Sequence, residues 1–425
     1  MSGDKRDIPA EPLRVLVAGK LYAPDEITGP VAIVLDGTSI RALWHVSDAA
    51  QARQVCAEHM PGRSIEVSDL GSWRIAPGYI DIHTHGLHGH DITTGSQEDI
   101  AAMACELPRT GVTAFFPTIA TSGKPETAEQ IRRVVAVAEG EARGQGAEIA
   151  GIRLEGPFIS HAKKGAQYEP GIRRPDPVEI TALADLGRGW VRIVDYAPEE
   201  DVDGSFLVTL VQLGILPCIG HTAATYEQAI HAIDGGARHS THLFNAMPTL
   251  EHRVPGAAGA LLTDQRATVE MIADSIHLHP AILKLIVACR GPRDVALITD
   301  AVAAAGLPDG EYEFIGRKVR VADGSVRLAS GNLAGSTLTL DRAVRNMVAL
   351  ANVAWADAIR MATLTPAQIA GLAGRKGRIA PGMDADLVVL DDQGFVRCTW
   401  ARGQLVYESE PVAADERMRA SYGAS

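Results

Sequence analysis

From about residue 76 onward, short apolar runs alternate with stretches of helical length, and this alternation restricts the chain more than any other feature. Eight candidate strands stand out: "GYIDIHTH", "AFFPTIA", "AGIRLEGP", "WVRIVDYAPE", "ILPCIGHT", "HSTHLFNA", "TVEMIADSIH" and "VALITDAVA". Helical segments separate most of them, which implies parallel pairing, and eight such units predict an α/β fold, a (β/α)8 TIM-like barrel. The first intervening segment, "SQEDIAAMACELPRTG", shows the pattern in detail. Ser96 is placed to cap a helix with Asp99 three positions on, Ile100, Met103, Ala104 and Leu107 share one face, and Gly111 follows the end. The barrel is expected over residues 76–380. Residues 1–75 read as short strands and turns, and residues 381–425 return to the same texture. The two chain ends are therefore expected to build one small β-sandwich domain beside the barrel. Between the eighth strand and the helix "TLTLDRAVRNMVALA" lies a strand-rich excursion, "GEYEFIGRKVRVADGSVRLAS".

Composition excludes several classes. No apolar run approaches the roughly 18 residues of a membrane-spanning helix, and "MSGDKRDIPAEPL" lacks the apolar core of a signal peptide. Five cysteines are scattered without a CxxC pair, which points to reduced thiols in a cytoplasmic protein. A net charge of −12 argues against a nucleic-acid surface. It also means that an anionic substrate needs a local basic pocket, because the global field repels it.

The chemistry concentrates at predicted strand ends. Four histidines crowd "DIHTHGLHGH" at residues 81–90, and alternation along a strand puts Asp81, His83 and His85 on one face. His88 and His90 fall beyond it in a glycine-containing loop and read as loop residues near the pocket rim. An isolated His-x-His is weak evidence. Its weight comes from Glu155, His221, His242 and Asp300, which fall at the ends of the third, fifth, sixth and eighth strands, where barrel enzymes build active sites. Taken singly, each has an ordinary reading: Glu155 as a carboxylate at a helix start, Asp300 as a buried acceptor. Together they form an N/O donor set suited to Zn, Fe, Mn or Co.

The order HxH, Glu, His, His, Asp on eight strands resembles the amidohydrolase superfamily. Longer stretches, among them "LEGPFIS", "KKGAQ", "GHTAATYEQA", "THLFNAM", "HRVPGAAGA", "IADSIHLHP" and "LAGSTLTLDRAVRN", are similar over nearly the whole chain to the N-acetylglucosamine-6-phosphate deacetylase family. That resemblance implies Glu155, His221 and His242 as ligands of a principal metal, with His83 and His85 at a second metal and Glu155 bridging. The fourth strand offers no lysine to carboxylate as an alternative bridge. One or two divalent ions per subunit are expected, Zn or Fe first, with Mn or Co compatible.

Metal binding can bring the pKa of water from 15.7 to about 7, and Asp300, also placed among the metal-site residues, is the expected base and acid for water and departing amine. The resemblance gives a carbonyl donor in "KKGAQ", where this chain carries Gln167; an amide donates a hydrogen bond but no proton. It also places Asn245 and the Ala246 N–H on a sugar phosphate, with Arg253 and His277 reaching it from the neighbouring subunit of a homodimer. Ser275, where glycine is frequent, and Ala223, where relatives often carry a polar residue, are departures expected near the pocket. The implied reaction converts N-acetylglucosamine 6-phosphate to glucosamine 6-phosphate and acetate. N-acetylgalactosamine 6-phosphate, another amidohydrolase reaction, and a silent metal-binding barrel are the alternatives.

Overall fold

A computed structural model describes residues 12–23, 27–140 and 144–410; the outermost parts of both predicted terminal segments lie outside the described residues. Eight parallel strands form a nearly closed barrel. In chain order they are Tyr79–Thr84, Val112–Ala120, Ile152–Glu155, Val191–Tyr196, Leu216–Ile219, His239–Ser240, Thr268–Ile272 and Val295–Ile298. Each pairs with the next in parallel register from first to eighth. Backbone bonds join the ends, with Asp300 N–H donating to the His83 carbonyl at 2.9 Å and His85 N–H to that of Ala301 at 2.8 Å. The sixth strand is only two residues long, because "THLFNA" turns away after Ser240 instead of continuing the ladder.

Helices follow the strands as the periodicity predicts. Ser96 caps Gln97–Glu106 in a reciprocal box with Asp99, and Gly111 takes a left-handed φ of 80° after a short 3-10 turn. That conformation strains any residue with a Cβ, which is why glycine stands there. Outward-facing Ile80 and Ile82 bury in the large core between barrel and helices. The excursion after the eighth strand is a four-stranded antiparallel sheet, Gly310–Phe314, Arg317–Ala322, Ser325–Leu328 and Leu333–Ser336, with a small core of its own.

Both chain ends meet in one six-stranded sheet, where Arg74–Pro77 pairs with Leu387–Leu390. A four-stranded sheet containing Leu13–Ala18 packs against it. Alternation divides that strand's side chains: Leu16 and Ala18 enter the core between the sheets, while Leu13, Val15 and Val17 face an 11-residue helix, Ala49–His59. This helix corrects the expectation of strands and turns throughout the first seventy-five residues. Its buried face is Ala52 and Cys56, too small to register as an amphipathic stripe.

An ion-pair cluster ties the barrel to the segment leading into the C-terminal strands. Glu148 faces Arg375 and Lys376, which also bind Asp384 at 2.6 and 3.0 Å. Burial alone would raise the Glu148 carboxyl, but Arg375 and Lys376 hold it down to about 2. A folded-state value below the unfolded one stabilises the protein above the unfolded pKa and loses that contribution as pH falls toward the folded value. Glu148→Gln should therefore cost roughly 2–3 kcal/mol at pH 7. The gap to wild type should close between about pH 5 and pH 2, as read by denaturant unfolding at a series of pH values. A gap independent of pH would refute the electrostatic account.

Candidate metal centre and catalytic pocket

The strand ends bring six side chains into one buried cluster. Glu155 lies at its centre: its Oε1 is 3.0 Å from the Nε2 atoms of both His221 and His242 and 3.5 Å from His83 Nε2. Its Oε2 is 3.0 Å from His85 Nε2. Asp300 Oδ1 is 3.5 and 3.2 Å from His83 and His85 Nε2, and His221 and His242 Nε2 are 3.2 Å apart. The donor atoms form two groups that share Glu155, namely His83, His85, Glu155 and Asp300, and Glu155, His221 and His242.

The outer ring nitrogens settle the tautomers. His85 Nδ1 is 3.0 Å from the Thr118 carbonyl and His221 Nδ1 is 2.9 Å from that of Lys163; a carbonyl only accepts, so both Nδ1 atoms carry the hydrogen. His83 Nδ1 faces the Glu270 carboxylate at 3.3 Å and donates likewise. The Nε2 lone pairs of these rings then converge on carboxylate oxygens, and buried His83 and His85 Nε2 have no hydrogen-bond partner. Three rings that present only lone pairs to carboxylate oxygens need a cation between them. A tetrahedral ion with bonds of about 2.0–2.1 Å would hold its donors roughly 3.3 Å apart, close to the 3.0–3.5 Å observed. With protons as the only cations, burial opposes the imidazolium form, yet Glu155 and Asp300 push His83 up to about 10 and His85 up to about 9. The residues fit a divalent metal.

Local backbone strain marks the same place. His221, His242, Ala246, Ser275 and Asp300 all have positive φ, at 45°, 21°, 51°, 66° and 48°. Such conformations cost on the order of 1–3 kcal/mol each and persist where surrounding structure enforces them, often at active sites. At Ser275 a residue with a side chain is held in a conformation that glycine adopts without strain.

Above the donors opens a cavity of about 230 Å3 whose walls include Gln167, Asn245, Ala246, His277, Phe314 and Leu333. Gln167 is buried, not a solvated loop amide: Thr121 N–H donates to its Oε1 at 2.8 Å, which turns its Nε2 toward Glu155 Oε2 at 2.5 Å. It thus orients the shared carboxylate, where a carbonyl donor was expected. His277 lines the cavity of its own chain, its Nδ1 on Asp274 at 2.7 Å. Arg253 is exposed outside this cavity, beside His252. Ala223 lies outside the lining too, its N–H donating to Glu199. His88 and His90 pair with Glu106 and Asp99 on the helix Gln97–Glu106 at 2.9 and 3.0 Å and take no part in the cluster. Asp81 accepts from Thr299 Oγ1 at 2.6 Å, beneath the donors.

Below the donors runs a charged network that the sequence reading missed. Arg153, fully buried, binds Asp195 through two bonds of 2.9 and 3.2 Å and also reaches Glu270. Glu270 accepts in addition from His239 at 2.8 Å. Burial opposes its charge, but Arg153 and His239 hold its carboxyl well below the usual range. Glu270 is therefore an anion behind His83, the carboxylate–histidine arrangement that strengthens a metal ligand. Charged residues at inward positions of otherwise apolar strands, such as Glu270 in "TVEMI", were the available signal.

Comparison with known proteins agrees with this geometry. The amidohydrolase family profile matches residues 74–406. The N-acetylgalactosamine-6-phosphate deacetylase of Escherichia coli O157:H7 is 39% identical over 341 residues, covering 80% of this chain and 90% of that one. The N-acetylglucosamine-6-phosphate deacetylase of Bacillus subtilis is 37% identical over 338 residues, covering 79% and 85%. Among solved structures, a Mycobacterium smegmatis N-acetyl-D-glucosamine-6-phosphate deacetylase variant in complex with N-acetyl-D-glucosamine-6-phosphate superposes with a TM-score of 0.85 at 33% identity, covering 93% of this chain and all of that one. The chain belongs to the amidohydrolase family.

Proposed function

We propose that the protein hydrolyses the acetamide of N-acetylglucosamine 6-phosphate to glucosamine 6-phosphate and acetate, with one or two divalent ions per subunit. The observation that carries the reading is the buried cluster of four imidazoles and two carboxylates around Glu155, with Asp300 both at its edge and in the cavity wall. Names of relatives from several organisms support the substrate class. When bound, the metal, Zn or Fe first, supplies Lewis acidity that polarises the amide carbonyl and acidifies water.

The chain's own residues do the rest. Glu155, His221 and His242 hold the principal ion, and His83 and His85, with Asp300, hold the second. Asp300 accepts the proton of the attacking water and delivers it to the departing amine. Its Oδ1 lies 3.5 and 3.2 Å from His83 and His85 Nε2 and its side chain lines the cavity, within reach of both the ion site and the substrate. Gln167 keeps Glu155 oriented and transfers no proton. Asn245, the Ala246 N–H and His277 form the polar side of the cavity and take the phosphate. Arg253, exposed on its own chain, completes the phosphate site of a neighbouring subunit in a homodimer. Arg253→Ala should raise KM for the phosphorylated sugar by about tenfold or more, the scale of a lost charge-assisted bond, with metal content intact. An unchanged KM would remove Arg253 from the site.

Among the described residues no helix is long and apolar enough to cross a membrane. Five free cysteines and a strongly acidic balance fit a cytoplasmic enzyme without nucleic-acid partners. The relative at 39% identity named for the galactosamine substrate keeps that epimer as the second reading. Acetate release from GlcNAc and GalNAc, each with and without the 6-phosphate, decides. We expect the phosphorylated gluco sugar to lead; a faster phosphorylated galacto sugar would reassign the epimer, and equal rates without phosphate would overturn the phosphate site.

A further inference from the structure

The cavity is chemically two-sided. Asn245 Nδ2 donates to the His242 carbonyl at 3.3 Å and the Ala246 carbonyl accepts from Thr222 N–H, next to His221, while Phe314 and Leu333, both from the excursion sheet, line the part of the cavity next to His85 and Asp300. The Phe314 ring meets the His85 ring edge-to-face, with centroids 5.5 Å apart. Phe314 is itself buried against Ala120, Val302 and Val326.

The apolar side is held rigidly. Ser336 N–H donates to the Asp300 carbonyl at 2.8 Å, and Val302 N–H to that of Ser336 at 3.1 Å, so the strand Leu333–Ser336 is laced to the segment that carries Asp300. Gly335 makes the approach possible. A Cβ there would sit 2.5 Å from Val302 Cγ1 and 2.8 Å from the Asp300 carbonyl, and its φ is +65°.

On the proposed deacetylase reading, the scissile carbonyl lies by the donor cluster and Asp300, and the sugar phosphate extends toward the polar side. A secondary amide is planar and trans, so its acyl chain leaves the carbonyl in the direction opposite to the sugar. With the phosphate at Asn245 and Ala246, that direction leads toward Phe314 and Leu333 on the other part of the lining. At about 230 Å3 the cavity is small beside the roughly 300 Å3 or more usual for small-molecule sites. We infer that Phe314 and Leu333 form the acyl subsite and set the length of N-acyl chain the enzyme accepts, so that the excursion sheet selects an acetyl group over longer acyl groups.

The test is carboxylate release from N-formyl, N-acetyl, N-propionyl and N-butyryl glucosamine 6-phosphate, with metal per subunit measured for each protein. The wild type should lose about tenfold or more in kcat/KM between acetyl and butyryl, the scale of excluding extra methylenes from a tight pocket. Leu333→Ala and Phe314→Leu should each raise the butyryl-to-acetyl ratio about tenfold with metal content unchanged. The half-buried Leu333 keeps the test decisive if the Phe314 variant folds poorly. Hydrolysis with the same acyl preference in both variants as in wild type would overturn this assignment alone. Release from none of the four would overturn the deacetylase reading, and the subsite with it.

Discussion

Asp300→Asn is expected to lower kcat by about a hundred- to ten-thousandfold, the range of general acid–base catalysis, while the protein keeps its fold and its metal. Asparagine matches the volume and retains one oxygen near His83 and His85, which lie 3.5 and 3.2 Å from Asp300 Oδ1. The backbone tolerates the change as well, because asparagine is among the residues that adopt the positive φ of 48° most readily. What is lost is the capacity to take up a proton from water and return it to nitrogen. Steady-state kinetics with elemental analysis of the same samples separates the two outcomes. Near-normal kcat with full metal would end the assignment of Asp300 as acid and base.

Glu155→Ala should have the larger effect on metal, because Glu155 is the one donor common to both groups. Its removal deprives four imidazoles of the carboxylate on which they converge. Metal per subunit should fall below one, and kcat/KM should drop by more than about a thousandfold as water returns toward its pKa of 15.7. Thermal unfolding gives a second readout. Adding Zn to the stripped wild type should raise its Tm, since a ligand that binds only the folded state stabilises it, whereas the variant should not respond. A variant that binds metal and responds like wild type would show that Glu155 does not hold the ion.

Most of the barrel could be read in advance because its signal is local. Each unit carries its own apolar run and helix start, so errors in one boundary do not propagate. The donors were legible for a related reason: Glu155, His221, His242 and Asp300 recur at one structural position, the C-terminal strand ends. What escaped depends on contacts far apart in the chain. Arg153, Asp195, His239 and Glu270 come from four different strands, and their pairing exists only once the barrel closes. Nothing in "IADSIH" says which way the loop folds; Asp274 holds His277 where it lines the cavity of its own chain. Phe314 and Leu333 escaped because the excursion shows only strand alternation, and its return over the cavity depends on the close approach at Gly335. The helix Ala49–His59 escaped for a simpler reason, the small size of its buried side chains.

The most direct test of the central claim is acetate release from N-acetylglucosamine 6-phosphate as metal is titrated into chelator-stripped protein, with bound metal counted at each point. The account expects almost no acetate without metal, and a rate that rises with occupancy and levels off at one or two ions per subunit, with one free amine formed per acetate. Equal rates in stripped and loaded protein, or no acetate from fully loaded protein, would contradict it.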